Sequence, residues 1–235
     1  MNNYAVVVAA GSGTRMGAGI SKQYLMLRDK PILAHTLLRI AKLDFIYGIV
    51  VVAKQNEIDY CGNEVVDKFK VSKVVDIVEG GSRRQDSVFN GLKSIRNRKP
   101  DLVFIHDGVR PLFSQMLFKN VFENAKVYGA AIAAAPVVCT IKESDDQMLV
   151  KKTVSRDKLW EIQTPQCFSF DLIFKAYLDI YSADESILLT DESMALEFAG
   201  MKVKIVEGGR ENIKITNPVD LIIAEQILEK ENFEL

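Results

Sequence analysis

Short apolar runs alternate along this chain with stretches of helical periodicity, and turn residues separate them. Residues 4–9 are apolar almost throughout and read as a buried strand. Residues 32–43 repeat apolar positions at helical spacing and follow Pro31, which suits a first helical turn. Residues 48–53 read as a second strand and 57–69 as a polar helix. A third strand over 74–78 ends at Gly80-Gly81. Residues 87–95 form a helix with Val88, Leu92 and Ile95 on one face. A fourth strand, 102–105, stops at His106-Asp107-Gly108. A helix over 117–128 and a small-residue strand over 130–138 complete the series.

Strands that are continuously apolar, alternating with helices, predict an α/β fold with a mostly parallel sheet covered by helices on both faces. Ligands of such sheets collect beyond the carboxyl ends of the strands. Residues 10–22, 80–87 and 106–111 fall at those ends. Residues 139–155 break the pattern. Two polar extended stretches, 140–142 and 150–154, flank the turn-forming Ser144-Asp145-Asp146-Gln147. This predicts a β-hairpin arm protruding from the domain. An isolated hairpin is marginal in water, so the arm is expected to pack against something, a second subunit included. The expected organisation is one domain over residues 1–235, with an arm inserted at about 139–160.

Composition narrows the function. The 235 residues carry 30 Lys and Arg against 31 Asp and Glu, a net charge of −1. No global field therefore favours nucleic acid or an anionic membrane, and phosphate recognition must be local. No apolar run approaches the ~18 residues of a membrane span, and no basic segment leads into a cleavable apolar one. Cys61, Cys139 and Cys167 are sparse and odd in number, without metal-ligand spacing. A cytoplasmic enzyme with reduced thiols is expected.

The candidate chemistry sits in the predicted loops. Residues 9–16 read Ala-Ala-Gly-Ser-Gly-Thr-Arg-Met, and Lys22-Gln-Tyr follows. Glycines let backbone N–H groups approach a polyphosphate, and Arg15 and Lys22 add charge. A P-loop needs a Lys beside its second glycine, and a dinucleotide fingerprint needs a glycine where Met16 stands; both fail on spacing. The second loop is Gly80-Gly81-Ser82-Arg83-Arg84-Gln85-Asp86-Ser87. It offers close backbone approach and a helix start at which Ser87 either caps or binds ligand. In the third, Asp107 at a strand end suits Mg²⁺, which takes one or two carboxylates plus phosphate oxygens and water. Arg110 either contacts a phosphate or braces Asp107. His106, at the strand end, is assigned a hydrogen-bonding role. Further along, Thr164-Pro165-Gln166 reads as a rigid turn with an exposed hydroxyl and amide. Thr190-Asp191-Glu192-Ser193 reads as a capped helix start. Asn212–Thr216 places Lys214 in an extended stretch.

The first loop resembles that of sugar-phosphate nucleotidyltransferases. Taken in order, AAGSGTRM, KQY, GGSRRQDSV, HDGVRP, APVVCTIK, TVSRDKLW, TPQ, TDES and NIKIT resemble the 2-C-methyl-D-erythritol 4-phosphate cytidylyltransferase family over roughly residues 4–228. The resemblance implies a Rossmann-like domain, CTP and methylerythritol phosphate as substrates, Mg²⁺, and a homodimer whose arm reaches the partner. It implies that Arg15, Lys22 and Lys214 act on the triphosphate and transition state. Ala9, Ala10, Gly11, Gly13, Gly81, Ser82 and Ser87 would bind the nucleotide. Asp107 would take Mg²⁺ with Arg110 in support. Thr140, Arg156, Thr164 and Thr190 would line the alcohol-phosphate pocket, Thr140 and Arg156 arriving from the other subunit. The chain departs from the family pattern at Gly108-Val109, where Ala-Ala is common, at Ser21 for Pro, and at Ser82 for Asp.

Two other readings compete. A ribitol 5-phosphate cytidylyltransferase shares the nucleotide half, but tends to open on Leu-Ala-Gly-Gly and to lack Thr-Asp-Glu-Ser. A non-catalytic nucleotide-binding module would not need Arg15, Lys22 and Lys214 converging on phosphate.

Overall fold

The computed structural model describes residues 1–11, 21–184 and 186–231. Its centre is a seven-stranded sheet in the order β11 (Lys204–Glu207), β7 (Ala130–Pro136), β10 (Trp160–Ser169), β6 (Leu102–Asp107), β1 (Tyr4–Val8), β4 (Gly48–Ala53) and β5 (Val74–Glu79), and a separate ribbon pairs β2 (Met26–Leu27) with β3 (Lys30–Pro31). The first strand, β1 (Tyr4–Val8), pairs in parallel with β4 (Gly48–Ala53) and β6 (Leu102–Asp107). β4 pairs in parallel with β5 (Val74–Glu79). Beyond β6 the sheet changes character. β10 (Trp160–Ser169) runs antiparallel to both β6 and β7 (Ala130–Pro136), and β11 (Lys204–Glu207) runs parallel to β7. The expected mostly parallel, doubly covered α/β sheet is present.

The absence of polar–apolar alternation in β1 and β4 follows from burial on both faces. Ala5 and Val7 pack on one side with α1 (Ile32–Ala41) and α4 (Gln115–Tyr128). Tyr4 and Val6 pack on the other with α3 (Arg84–Ile95), α5 (Phe170–Ala183) and α6 (Ser193–Phe198). A smaller cluster seats α7 (Pro218–Glu231) through Ala224 and Leu228 against Leu27, Ile32, Val109 and Ile215. Glycine Gly129, at φ 78°, takes the left-handed position that ends α4.

Several expectations shift. The helix over 57–69 is a composite: a 3₁₀ turn (Gln55–Glu57), one α-turn (Ile58–Tyr60, α2) and a π-helical stretch (Cys61–Asp67). The helix expected from Ser87 begins at Arg84. The Asp86 carboxylate accepts from the Arg83 N–H at 2.9 Å, so Ser87 lies inside the first turn and does not cap. The hairpin is present as β8 (Ile141–Ser144) and β9 (Val150–Val154), antiparallel, with Ile141 opposite Val154. Its turn is held by the Asp145 carboxylate, which accepts from the N–H groups of Gln147 (3.0 Å) and Leu149 (2.9 Å). Residues at both strands of the arm are almost all exposed. Among the described residues no helix is long and apolar enough to cross a membrane.

Candidate active site

Three loops meet where the sheet's carboxyl ends converge. β1 delivers Ala9, Ala10 and Gly11, the loop after β5 delivers Gly81 and Ser82, and β6 delivers Asp107. Together with Lys22, Ser87 and Lys214 they line a cavity of about 320 Å³. Nine of the predicted site residues therefore share one pocket although they span more than 200 residues of sequence. Gly13 and Arg15 lie outside the described residues.

The loop after β5 is tied to this pocket by close packing. A Cβ on Gly80 would come within 2.4 Å of the Ala10 Cβ, so only glycine lets the two loops touch. The Ser87 hydroxyl accepts from the Gly81 N–H (3.0 Å) and donates to the Arg83 carbonyl (3.2 Å). It thereby sets the glycine backbone that faces the cavity. The Ser82 hydroxyl is exposed and donates to Asp86 at 2.9 Å. Gly108 plays a similar part below. A Cβ there would meet the Val8 carbonyl at 3.1 Å and the Leu33 Cδ1 at 2.9 Å. The backbone of β1 and the turn after β6 are thus drawn together beneath the pocket, and the Gly108 N–H donates to Val8 at 2.9 Å.

Lys22 opens a 3₁₀ turn, Lys22–Tyr24, whose flanks share one carboxylate. Ser21 donates its hydroxyl to Glu57, and the Gln23 amide donates to the same Glu57 at 3.1 Å. Lys54 completes the cluster, 2.7 Å from the Ser21 hydroxyl and 3.3 Å from Glu57. Where a proline would stiffen the entry to this turn, Ser21 does so by hydrogen bonding.

Asp107 is the centre of charge. Its buried carboxylate lies 3.3 Å from the Arg84 Nε, 3.3 Å from the Arg110 Nε and 3.0 Å from the Lys214 Nζ. Burial pushes its pKa up. Arg84, Lys214 and Arg110 outweigh burial and hold the carboxyl well below the usual carboxylate range. Arg110 also donates to the Asn212 carbonyl at 2.7 Å. Burial draws its guanidinium below its ordinary value, yet it remains a cation.

Behind Asp107 runs a chain of committed hydrogen bonds. His106 is fully buried, with Nε2 3.0 Å from the Arg110 carbonyl and Nδ1 3.0 Å from the Thr164 hydroxyl. A carbonyl only accepts, so Nε2 carries the proton and Nδ1 accepts from Thr164. The Thr164 oxygen in turn accepts from the Asp107 N–H at 3.0 Å. Burial pulls the His106 pKa down to about 4. With both nitrogens engaged and the ring neutral, His106 has no capacity left to serve as a base. Thr164 corrects an expectation. It is not an exposed turn hydroxyl but a buried residue within β10, at the irregularity between Ile162 and Gln166. Both of its neighbours in the predicted turn, Pro165 and Gln166, are buried as well.

Two further cavities adjoin the first. One of about 210 Å³ is lined by Arg84, Asp107, Arg110, Thr164, Thr190 and Lys214 among others. Another, of about 460 Å³, runs under the arm past Arg110, Cys139, Gln163, Arg210 and Lys214. Lys214 lines all three, and Arg84 and Asp107 form the wall between the 320 Å³ cavity and the 210 Å³ one. Thr140 and Arg156 are exposed at the base of the arm and line none of the three. The Arg156 guanidinium donates to the Val138 carbonyl, within the arm's own root.

Sequence reasoning did not single out Arg84, Glu192 or Glu57. Arg84 stood beside Arg83 in a basic loop with nothing to distinguish them. Both line the 320 Å³ cavity, but Arg83 pairs with Asp86 at 2.8 Å, while Arg84 reaches Asp107 and also lines the 210 Å³ cavity. Among the described residues no three His, Cys, Asp or Glu side chains cluster to hold a metal. Asp107 is the single acid among the described residues lining the 320 Å³ cavity. One ionised carboxylate at a polyphosphate-sized pocket fits Mg²⁺, whose remaining positions are filled by phosphate oxygens and water.

Comparisons with known proteins agree with this geometry. Residues 4–230 match the family model described as 2-C-methyl-D-erythritol 4-phosphate cytidylyltransferase. The chain is 45% identical to the protein of that name from Alkaliphilus oremlandii, covering 95% of this chain and 93% of that one. It is 41% identical to the one from Clostridium acetobutylicum, covering 99% of this chain and all of its relative. A crystal structure of 4-diphosphocytidyl-2C-methyl-D-erythritol synthase from Anaerococcus prevotii superposes with a TM-score of 0.84 at 33% identity, covering 97% of this chain and 96% of that one. The Francisella tularensis cytidylyltransferase gives 0.82 at 33% identity, covering 97% of this chain and all of that one.

Proposed function

The chain belongs to the 2-C-methyl-D-erythritol 4-phosphate cytidylyltransferase family, and on that premise we propose how its residues carry the reaction. The enzyme transfers the cytidylyl group of CTP to methylerythritol phosphate, releasing pyrophosphate. Neither ribitol phosphate turnover nor simple nucleotide binding is the reading its relatives support.

A phosphate monoester loses its second proton near pH ~6, so at neutral pH the attacking oxygen is already an anion. It forms a bond to the α-phosphorus of CTP. The bond from that phosphorus to the bridging oxygen breaks, and pyrophosphate leaves with the electron pair. No proton needs to move, which agrees with a neutral, fully engaged His106. What the site must supply is alignment of two mutually repelling anions and positive charge for the transition state.

The observation that carries this reading is the wall formed by Asp107 and its three cations between the cavities. CTP occupies the 320 Å³ side, against the backbone of Ala9, Ala10, Gly11 and Gly81, with Lys22 on its phosphates. Methylerythritol phosphate occupies the other side, near Arg110, Thr190 and Lys214. Lys214, common to all three cavities, faces the phosphorus under attack. Thr164 acts through His106 and Asp107, since its only proton is committed to the imidazole. Asp107 would hold Mg²⁺, which when bound would neutralise triphosphate charge.

Thr140 and Arg156, exposed at the root of the arm, line none of the three cavities above, which supports a homodimer in which each arm completes the partner's pocket. The three free cysteines support a reading in which the enzyme works in a reducing compartment, the cytoplasm.

Phosphorus NMR tests the assignment. With CTP and Mg²⁺, pyrophosphate and a new diphosphate diester should appear with methylerythritol phosphate and not with ribitol 5-phosphate. Turnover of ribitol phosphate instead would overturn it.

A further inference from the structure

We infer that Glu192 is a positioning residue for cytidylyl transfer, fixing the Arg84 guanidinium in the wall between the two substrate cavities. The inference rests on the proposed placement of the two substrates.

Glu192 is fully buried at the start of α6, and its carboxylate takes both terminal nitrogens of Arg84, Nη1 and Nη2, the latter at 3.0 Å. The third nitrogen, Nε, points to Asp107 at 3.3 Å. A guanidinium held by two terminal nitrogens on one carboxylate and by Nε on another has its plane fixed. The carboxylates are 1% and 7% exposed, whereas the Arg84 side chain is 28% exposed. Its open part lines both the nucleotide-side cavity and the 210 Å³ one.

Asp107 alone would hold Arg84 poorly. It is shared among three cations, each at 3.0 Å or more. Among the described residues Arg84 is the cation paired with Glu192, whose own place is fixed from behind. Its N–H donates to the Gln166 side chain at 3.2 Å, and the Tyr177 hydroxyl lies 3.5 Å from its carboxylate. Burial pushes the Glu192 carboxyl above its ordinary value and Arg84 draws it part of the way back. An unpaired carboxylate this deep would be costly, so the pair is kept together. A cation fixed before substrate arrives needs no reorganisation as charge develops on the transferred phosphoryl group.

This role has a signature that simple charge does not share. Asp107, Glu192, Arg84, Arg110 and Lys214 together carry a net +1. Removing the Glu192 charge makes the site more positive and should, by charge alone, favour CTP. Positioning predicts the opposite for rate. In Glu192→Gln, an isosteric change, kcat should fall at least about tenfold while the KM for CTP stays level or drops. Arg84→Met should lower kcat about 100-fold, the usual loss for one such donor. The double variant should be no more than about threefold slower than Arg84→Met, because the two residues act as one unit.

The experiment measures kcat, KM, CTP affinity by calorimetry and melting temperature for these four proteins. Unchanged kcat in Glu192→Gln, or multiplicative losses in the double variant, overturns the inference. A fall in melting temperature that alone accounts for the lost rate, seen as fewer active sites at unchanged kcat per site, also overturns it. If the wild type turns over no methylerythritol phosphate, the substrate reading fails by itself. The same cycle read on CTP affinity then decides the Arg84–Glu192 pair, with non-additive changes supporting it and additive ones refuting it.

Discussion

The corner around Asp107 and the hairpin arm are built on opposite principles. At the corner the charged groups and the imidazole have partners inside the chain. Asp107 has three cations, His106 has both nitrogens bonded, and Glu192 has Arg84. In the arm, β8 and β9 are held mainly by each other, and Met148, Leu149 and Val150 stand 83%, 61% and 63% exposed. A self-sufficient corner can be preorganised before substrate binds. An arm with an exposed apolar tip gains most of its definition from whatever it meets. The residues proposed to act on phosphorus therefore sit in the rigid region, and those proposed to choose the alcohol sit in the adaptable one.

The sharpest way to break the comparison is to titrate the corner. An unfolded histidine protonates near its ordinary value of ~6.5, whereas folded His106 does so only at about 4. Between those values the unfolded state holds more protons, so stability is complete above pH ~6.5 and declines as pH falls toward 4. A gap of that size is worth about 3 kcal/mol for one fully buried group. Denaturant melts from pH 7 to 4 should show this loss in the wild type and much less of it in His106→Asn. The same slope in both proteins would mean that the buried network does not carry its own proton linkage. Asp107 lies on the same side of the balance. Its depressed folded value makes its contribution intact above the ordinary carboxylate range and lost only in stronger acid.

A smaller effect separates the two regions within one assay. Lys214→Ala should leave CTP binding largely intact and depress kcat, whereas Arg156→Ala should raise the methylerythritol phosphate KM about tenfold, roughly 1.4 kcal/mol. Mixing the two inactive or weak variants tests where Arg156 acts. If each arm serves its partner, random dimers rebuild one intact site in half of the assemblies, restoring about a quarter of wild-type sites. No recovery on mixing would place Arg156 in its own chain's pocket, against the exposed position it holds at the arm's root.

The two regions also differed in how far they could be read from sequence. The proposed nucleotide side was legible because its parts are contiguous: a strand, then glycines, then cations, after β1 and again after β5. The arm was legible from two polar extended stretches around a turn. The strand β10 was not. Its buried Gln163, Thr164 and Gln166 look like turn residues in sequence, and only their partners, His106, Asp191 and Asn212, explain how they are accommodated inside a sheet. The Arg84–Glu192 clamp was invisible for a related reason. Its members lie 108 residues apart, and neither neighbourhood hints at the other. Ser21 and Gln23 likewise converge on Glu57 from 36 and 34 residues away. Local signals mark where ligands bind; the residues that hold the binding groups still come from elsewhere in the chain.

The smallest expected effect bears on what the arm meets. Leu149 is exposed and lies just beyond the Asp145 turn. In an isolated chain, Leu149→Ser should change stability by less than about 0.5 kcal/mol, as surface changes usually do. In a dimer that buries the arm, association adds stability that grows with protein concentration. Wild type should then melt higher as concentration rises, and the variant should show a flatter dependence while converging on wild type at high dilution. Sedimentation at matched concentrations would give the corresponding shift toward monomer. A melting temperature independent of concentration in both proteins would leave the arm a free hairpin. Arg156 would then need a different route to substrate, and the contrast between a self-sufficient corner and a partner-dependent arm would fail at its second half.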